Sequence, residues 1–92
     1  MCKHYEISIK GKVQGVWCRK YIQDKAKELG ITGFTQNMPD GSVYVEAEAQ
    51  DEKNLLQFIK WLYQCSPLSK VEEVIILNDS PCKEYVSFEI KK

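Results

Sequence analysis

The sequence predicts an α+β fold of the ferredoxin-like, split β-α-β kind, with two helices packed on one face of an antiparallel sheet. Two observations support this prediction. Segments in which apolar and polar residues alternate predict strands, and segments in which apolar residues recur at helical spacing predict helices. They follow one another in the order βαββαβ, with one further strand at the carboxyl end. The length of 92 residues is enough for a single small core. We therefore expect one domain over residues 1–92.

The amino-terminal half is predicted to contain a strand, a helix and a hairpin. The first strand is indicated by apolar residues that alternate with polar ones, namely Tyr5, Ile7 and Ile9 against His4, Glu6 and Ser8. Apolar residues recur at helical spacing from 22 to 29, and Gly30 is a natural left-handed stop. Residues 31–38 and 43–49 are predicted strands, joined by the turn sequence "MPDG" at 38–41.

The carboxyl-terminal half is predicted to contain the second helix and two strands. Asp51 is a candidate N-cap. The helix after it carries an apolar stripe at i, i+3, i+4 and i+7, made of Leu55, Phe58, Ile59 and Leu62, and Trp61 borders this stripe as a structural residue. "CSPLS" at 65–69 ends the helix. Strands are predicted at 71–77 and 85–90, the latter with Val86, Phe88 and Ile90 on one face.

Composition and charge exclude several classes of protein. Lysine plus arginine and aspartate plus glutamate both total 13, so the net charge is zero and a general nucleic-acid binder is disfavoured. An RNA-binding sheet would need exposed aromatic residues, and Tyr5 and Tyr44 are predicted to lie among acidic strand residues. No apolar run is long enough to span a membrane, and the amino terminus lacks an apolar leader segment. A cytoplasmic monomer without a membrane or nucleic-acid partner is expected.

The cysteines and the single histidine are predicted to have no metal-binding role. Cys2, Cys18, Cys65 and Cys82 are widely scattered without a Cys-x-x-Cys pair, so free thiols are expected. His4 is expected at a strand end on the surface rather than as a ligand or a base. The sequence therefore predicts neither a metal nor another cofactor.

The stretch "GKVQGVWCRK" at 11–20 joins the first strand to the first helix and contains two glycines and three basic residues. Glycine allows successive backbone N–H groups to converge on an anion, and the N-terminus of a helix favours negative charge. Arg19 adds a planar fork that matches phosphate oxygens. The segment from Gly15 to Arg19 is therefore a candidate phosphate cradle. The alternative, glycines that serve only as turn residues, stays open at this point.

Other phosphate motifs do not fit this loop. A Walker loop needs lysine and a hydroxyl residue after its second glycine, where this chain has Val16 and Trp17. Cys18 lies directly before Arg19, so the backbone between them cannot wrap a phosphate; a small packed side chain is favoured over a nucleophile. Trp17 is expected either to pack beside the loop or to lie exposed at the mouth of the site. Asn37, taken alone, could be a turn-forming residue before "PDG".

Two motifs resemble those of the acylphosphatase family. "GKVQGVWCR" is similar to that family's signature Gly-x-Val-Gln-Gly-Val-x-Phe-Arg, and "GITGFTQNMPDGSVYVEAEA" to Gly-[Phe/Trp/Tyr]-Val-x-Asn-x-x-Asp-Gly-x-Val. The likeness continues to "PLSKVEEV" and so covers essentially the whole chain. Two departures are Cys18, where phenylalanine is usual, and Thr35, where valine is common.

The resemblance implies an enzyme that hydrolyses acyl phosphates to a carboxylate and inorganic phosphate without a metal. It implies that Arg19 binds the phosphoryl group and that Asn37 positions the attacking water. It also implies that backbone N–H groups bind the phosphoryl oxygens, from the loop residues Gln14, Gly15, Val16, Trp17 and Cys18. Acetyl phosphate, carbamoyl phosphate and 1,3-bisphosphoglycerate share the reacting group, and the sequence shows no pocket for the acyl portion. A phosphate sensor and a domain of a carbamoyl-transfer enzyme are the rival interpretations.

Overall fold

In the part of the chain that the structure describes, five strands and two helices follow the predicted order. The computed structural model describes residues 2–91. The elements are β1 (Lys3–Lys12), α1 (Cys18–Glu28), β2 (Thr32–Asn37), β3 (Val43–Ala49), α2 (Glu52–Trp61), β4 (Lys70–Ser80) and β5 (Phe88–Lys91). The strands form one sheet in the order β4-β1-β3-β2-β5. The ferredoxin-like α+β class is confirmed.

The sheet is mixed, whereas an antiparallel one was predicted. β1 is antiparallel to both β3 and β4, and β2 is antiparallel to β3. β5 is parallel to β2 at the opposite edge from β4. The segment 81–87 therefore has to cross the sheet between its two edge strands, and it enters β5 in the same direction as β2.

The apolar core lies between the helices and one face of the sheet. Residues that pair across strands share a face, so Ile7 opposite Val45 and Ile9 opposite Val43 form a continuous apolar surface. Fully buried side chains from α1 and α2 cover it, among them Ile22, Ala26, Leu55 and Phe58. Each buried aliphatic or aromatic side chain contributes about 1.5–3 kcal/mol. The ring of Trp61 stacks on Phe58 at a centroid distance of 6.4 Å, which agrees with its predicted structural role.

The helix and hairpin ends follow the predicted residues. The Asp51 carboxylate accepts a hydrogen bond from the Lys53 N–H at 2.9 Å, so Asp51 is the N-cap of α2. Gly30 follows α1 with a left-handed φ of 72°. In the β2–β3 hairpin, the Met38 N–H donates to the Ser42 carbonyl at 2.9 Å. Within residues 2–91 neither helix, at 11 and 10 residues, is long and apolar enough to cross a membrane.

The last two strands differ in length from the prediction. β4 continues to Ser80, because its end pairs with the beginning of β1. β5 begins only at Phe88, which is buried in the core. The side chain of Val86 is 96% exposed, so the prediction that Val86 shares a face with Phe88 and Ile90 was wrong. The segment before Phe88 crosses the sheet and is not paired as a strand.

His4 is buried, so its predicted place on the surface was wrong. Its Nδ1 lies 2.7 Å from the Glu48 carboxylate and its Nε2 lies 3.0 Å from the Glu46 carboxylate. The segment 81–87 covers this second face of the sheet, and the backbone N–H groups of Lys83 and Tyr85 donate to Glu48. Around His4, the strand residues that alternate with the core therefore form a polar network beneath this segment.

The cysteines divide into two pairs, and the prediction of four free thiols was wrong. Cys2 and Cys82 form a disulfide, which ties the start of β1 to the crossing segment. Cys18 and Cys65 are free and buried. With both sulfurs in a disulfide, Cys2 and Cys82 are not available as thiolate ligands, although the Glu48 carboxylate lies near them.

Candidate active site

The ends of β1 and β2 lie at the same edge of the sheet. Both strands are antiparallel to β3, which lies between them, so they run in the same direction. The loop 13–17 leaves the end of β1 and enters α1, and Asn37 is the last residue of β2. Asn37 pairs with Val43 and so faces the helices. The fold therefore brings the loop, the first turn of α1 and Asn37 together on one side of the sheet.

The backbone of the loop has an alternating conformation. Gly15 and Trp17 have left-handed φ values of 73° and 68°, and Val16 between them does not. Alternation of this kind turns successive N–H groups toward one point and forms an anion nest. Trp17 is the N-cap of α1 but makes no side-chain cap hydrogen bond. Within residues 2–91 no hydrogen bond engages the N–H groups of 15–20, so these donors remain available.

Two side chains hold the loop from opposite sides. The Gln14 amide nitrogen donates to the Met38 and Ser42 carbonyls, each at 2.8 Å, and so ties the loop to the β2–β3 hairpin. The Ser66 hydroxyl donates to the Val16 carbonyl at 2.5 Å. These contacts fix the loop relative to Asn37. The sequence predicts Gln14 here only as a backbone donor and contains no sign of Ser66, since "CSPLS" indicates no more than the end of a helix.

Cys18 is packed beneath the loop, as predicted for a small structural side chain. It is 1% exposed, and its sulfur lies 3.9 Å from the Ser66 hydroxyl. A hydrogen bond with the Cys65 thiol lowers the pKa of the Cys18 thiol to about 7 and raises the pKa of Cys65. Cys18 thus occupies the position of the usual phenylalanine and contacts Ser66, which also binds the loop at Val16.

Arg19 lies in the first turn of α1 at the side of the loop. Its guanidinium donates one hydrogen bond to the Lys91 carbonyl at 3.1 Å. No acidic side chain within residues 2–91 forms an ion pair with it. A guanidinium has five N–H donors, so most of them are free to bind an anion. The contact with β5 holds the fork in place without neutralising its charge.

Asn37 has an unsatisfied side-chain oxygen. Its Oδ1 is buried, and no donor among residues 2–91 forms a hydrogen bond with it. A buried acceptor without a partner costs about 1–3 kcal/mol. No described protein contact fixes this oxygen, so rotation of the amide can present either its oxygen or its nitrogen to the adjacent cavity. A bound molecule can then supply the missing hydrogen bond.

These residues surround one cavity of about 500 Å³. Its lining is formed by Val13, Gly15, Trp17, Cys18, Arg19, Lys20, Asn37 and Ile90. The charged groups are both cations, and the lining contains no carboxylate or imidazole. Trp17 is 69% exposed, so of its two predicted environments the structure has the exposed one at the cavity mouth. The cavity is thus a cationic, N–H-rich pocket with one aromatic wall.

Comparisons with known proteins point to one family. The family model of the acylphosphatases matches residues 5–90. An acylphosphatase of Shewanella amazonensis is 38% identical over 84 residues, which are 91% of each chain. The crystal structure of the acylphosphatase from Bacillus subtilis is similar to this structure with a TM-score of 0.91, at 29% sequence identity. The similar region spans the whole of both chains. The chain belongs to the acylphosphatase family. Acylphosphatases are hydrolases, so the prediction of an enzyme is confirmed.

A larger protein contains a similar unit. Full-length HypF, in a phosphate- and nucleotide-bound crystal structure, has a TM-score of 0.91 and 28% identity with this chain. The similar region covers the whole of this chain but only 12% of HypF. Acylphosphatase-like folds therefore occur both as short chains and within long ones.

Proposed function

We propose that the protein hydrolyses the carboxyl–phosphate bond of acyl phosphates to a carboxylate and inorganic phosphate. The observation that carries this proposal is the single cavity lined by Arg19, Asn37 and the loop with free N–H groups. Residues 1–92 act as one catalytic domain. Acetyl phosphate, carbamoyl phosphate and 1,3-bisphosphoglycerate are candidate substrates because each contains this bond.

The loop and Arg19 bind the phosphoryl group. Residues Gln14, Gly15, Val16, Trp17 and Cys18 contribute backbone N–H donors at the N-terminus of α1, where the helix dipole also favours an anion. Arg19 donates a bidentate pair to two phosphoryl oxygens. In a loose, metaphosphate-like transition state the charge is spread over these oxygens, so the same donors stabilise it.

Asn37 holds the attacking water. When Oδ1 faces the cavity, a water that donates one proton to it keeps a lone pair directed at phosphorus. This contact satisfies the unpaired oxygen of Asn37. The water oxygen forms a bond to phosphorus, and the bond from phosphorus to the acyl oxygen breaks, with its electron pair on the carboxylate. The proton of the water passes to a phosphoryl oxygen, because an amide does not act as a base.

The reaction needs neither a general acid nor a metal from this site. The leaving carboxylate has a pKa of about 4, so it departs without protonation. Magnesium and calcium prefer oxygen ligands, chiefly carboxylates, whereas the charged side chains lining this cavity are Arg19 and Lys20. Catalysis then rests on positioning and on charge stabilisation.

Two rival functions use the same pocket. A phosphate sensor would bind phosphate without turnover, and a unit like that of HypF would act together with further domains. The unsatisfied oxygen of Asn37 favours hydrolysis, because binding of phosphate by Arg19 and the loop does not require it.

A monomer in the cytoplasm is the simplest form of the protein. The Cys2–Cys82 disulfide, in contrast, favours an oxidising compartment.

The deciding experiment compares Asn37→Ala with the unaltered protein in the hydrolysis of acetyl phosphate with excess chelator. We expect kcat to fall by about 10²-fold or more, because the water loses its orientation. The inhibition constant of inorganic phosphate should change little, since Arg19 and the loop remain. Asn78→Ala, the same change on an exposed face of β4, is the matched control and should keep full activity.

Arg19→Lys tests the phosphate cradle in the same assay. Lysine keeps the charge but cannot form the bidentate fork, so both phosphate binding and turnover should weaken. Full activity in Asn37→Ala would contradict the role of this residue in holding water. Activity absent from the unaltered protein, with phosphate still bound, would favour the sensor.

A further inference from the structure

The candidate active-site cavity extends beyond what a phosphoryl group needs. Its volume of about 500 Å³ lies within the range of about 300–1,000 Å³ that encloses whole small-molecule ligands. The phosphate cradle accounts for Gly15, Arg19 and the backbone of Trp17 and Cys18, and the attacking water accounts for Asn37. The remaining lining includes the side chains of Val13, Trp17 and Ile90, which are apolar. The cavity therefore has an apolar part whose occupant the phosphoryl chemistry does not specify.

The two walls of the cavity belong to different elements. Asn37 ends β2 and Ile90 lies on the adjacent β5, where it pairs with Thr35. Trp17 and Arg19 belong to the loop and the first turn of α1 on the other wall. In-line displacement places the attacking water and the leaving acyl group on opposite sides of phosphorus. With the water at Asn37, the acyl group points away from β2, and Trp17 is the aromatic residue of the lining that lies outside β2 and β5.

Trp17 is suited to receive that group. It is the only aromatic residue among those that line this cavity, and it is 69% exposed, so it is not part of the core. Its backbone has the left-handed φ of 68°, a conformation that is costly for a residue with a side chain. Among residues 2–91 its ring forms no aromatic pair with another residue. Covering an exposed indole with a flat apolar group is favourable, because it removes apolar surface from water and allows the two flat faces to stack.

Lys20 contributes less to the choice of acyl group than its place in the lining suggests. Lys20 is the second cation of the lining, but its ammonium group lies 3.1 Å from the Asp24 carboxylate. This ion pair reduces the attraction of Lys20 for a further anion. The apolar side chain of Trp17 is therefore the feature of this wall best suited to distinguish one acyl group from another.

We propose that Trp17 is a specificity residue that binds the acyl group and selects acyl phosphates with flat, apolar acyl groups. This inference rests on the proposed function. The probes are benzoyl phosphate, which has an aromatic acyl group, and acetyl phosphate, which has a small one. The readout is the ratio of kcat/KM for benzoyl phosphate to kcat/KM for acetyl phosphate. This ratio, compared between variants, cancels the different intrinsic reactivity of the two substrates.

We expect Trp17→Ala to lower this ratio by about 10-fold, since an apolar contact in a pocket typically discriminates by 10-fold or more. Trp17→Phe keeps an aromatic ring on the same left-handed backbone and should keep the ratio within about threefold. Tyr63→Ala is the matched control, because Tyr63 is an exposed aromatic residue that does not line this cavity. It should leave the ratio unchanged.

An unchanged ratio in Trp17→Ala would overturn the inference, whether both activities persist or both fall together. A common fall would show that Trp17 holds the loop rather than the acyl group. If Trp17→Ala does not fold, Trp17→Leu keeps apolar bulk without an aromatic face and should still lower the ratio relative to Trp17→Phe. Failure of the unaltered protein to hydrolyse either substrate would instead overturn the proposed function.

Discussion

Loss of the disulfide between Cys2 and Cys82 should destabilise the protein strongly. The two cysteines are separated by 80 positions, so the cross-link restricts nearly the whole unfolded chain. The chain-entropy model assigns such a link about 2.1 + 1.5R ln n cal/mol/K, which for this separation is about 15 cal/mol/K, or about 4.5 kcal/mol at 25 °C. Removal of a disulfide from a small domain typically costs about 2–5 kcal/mol.

Urea unfolding followed by circular dichroism measures this loss. Small proteins lose about 1–3 kcal/mol of stability per molar urea, so reductant should lower the midpoint by about 1.5 M or more. The double variant Cys2→Ser/Cys82→Ser should unfold like the reduced protein and should not respond to reductant. Cys2 precedes β1, and the candidate site follows the other end of this strand. Turnover of acetyl phosphate should therefore persist while the reduced protein stays folded.

The prediction is wrong if the free energies of unfolding of the oxidised and reduced proteins differ by less than about 1 kcal/mol. It is also wrong if the unreduced protein releases four reactive thiols when denatured, since that would show that the bond had not formed. A lower stability with a strongly reduced kcat/KM in the folded protein would show that the two ends of the sheet are coupled.

Two further predictions concern buried polar groups. Thr35→Val should raise the free energy of unfolding by about 1 kcal/mol, because the Thr35 hydroxyl is buried without a hydrogen-bond partner among residues 2–91. A variant that is no more stable in urea than the unaltered protein would contradict this. Burial raises the pKa of Glu46, but hydrogen bonds from Tyr44, Lys83 and Tyr85 outweigh it and hold this pKa below its ordinary value of 4.5. The folded-state pKa is depressed, so this stabilisation is complete above pH 4.5 and is lost as the pH falls through the folded pKa. Between pH 7 and pH 3 the free energy of unfolding should therefore fall less steeply in Glu46→Gln than in the unaltered protein. Identical slopes would show that Glu46 does not contribute to this pH dependence.

Local sequence signals were sufficient for the elements that have their own start and stop residues. α2 has a capping aspartate and an apolar stripe, and both act as predicted. The hairpin after Asn37 and the stop at Gly30 likewise depend on residues close in sequence. The loop motif and Arg19 could be singled out because they lie close together in sequence at the start of a helix. The free N–H groups and the dipole at that end of a helix favour an anion.

Long-range features could not be predicted in the same way. The Cys2–Cys82 bond depends on the crossing of segment 81–87, and the spacing of these cysteines contains no sign of it. The alternation that includes His4 indicates two faces of a strand but not that another segment covers the second face. The side-chain contacts of Gln14 and Ser66 with the loop also join distant segments. Such contacts follow from strand order and not from periodicity.

The contact between Arg19 and the Lys91 carbonyl joins residues that are 72 positions apart. Lys91 belongs to β5, which pairs with β2 at the edge of the sheet and also contributes Ile90 to the cavity. The loop and α1 belong to a different part of the chain and do not include this strand. Under the proposed function, a molecule whose β5 has separated from β2 would keep the phosphate loop but lose the anchor of its arginine. Hydrolysis of acyl phosphate would then report whether β5 is docked.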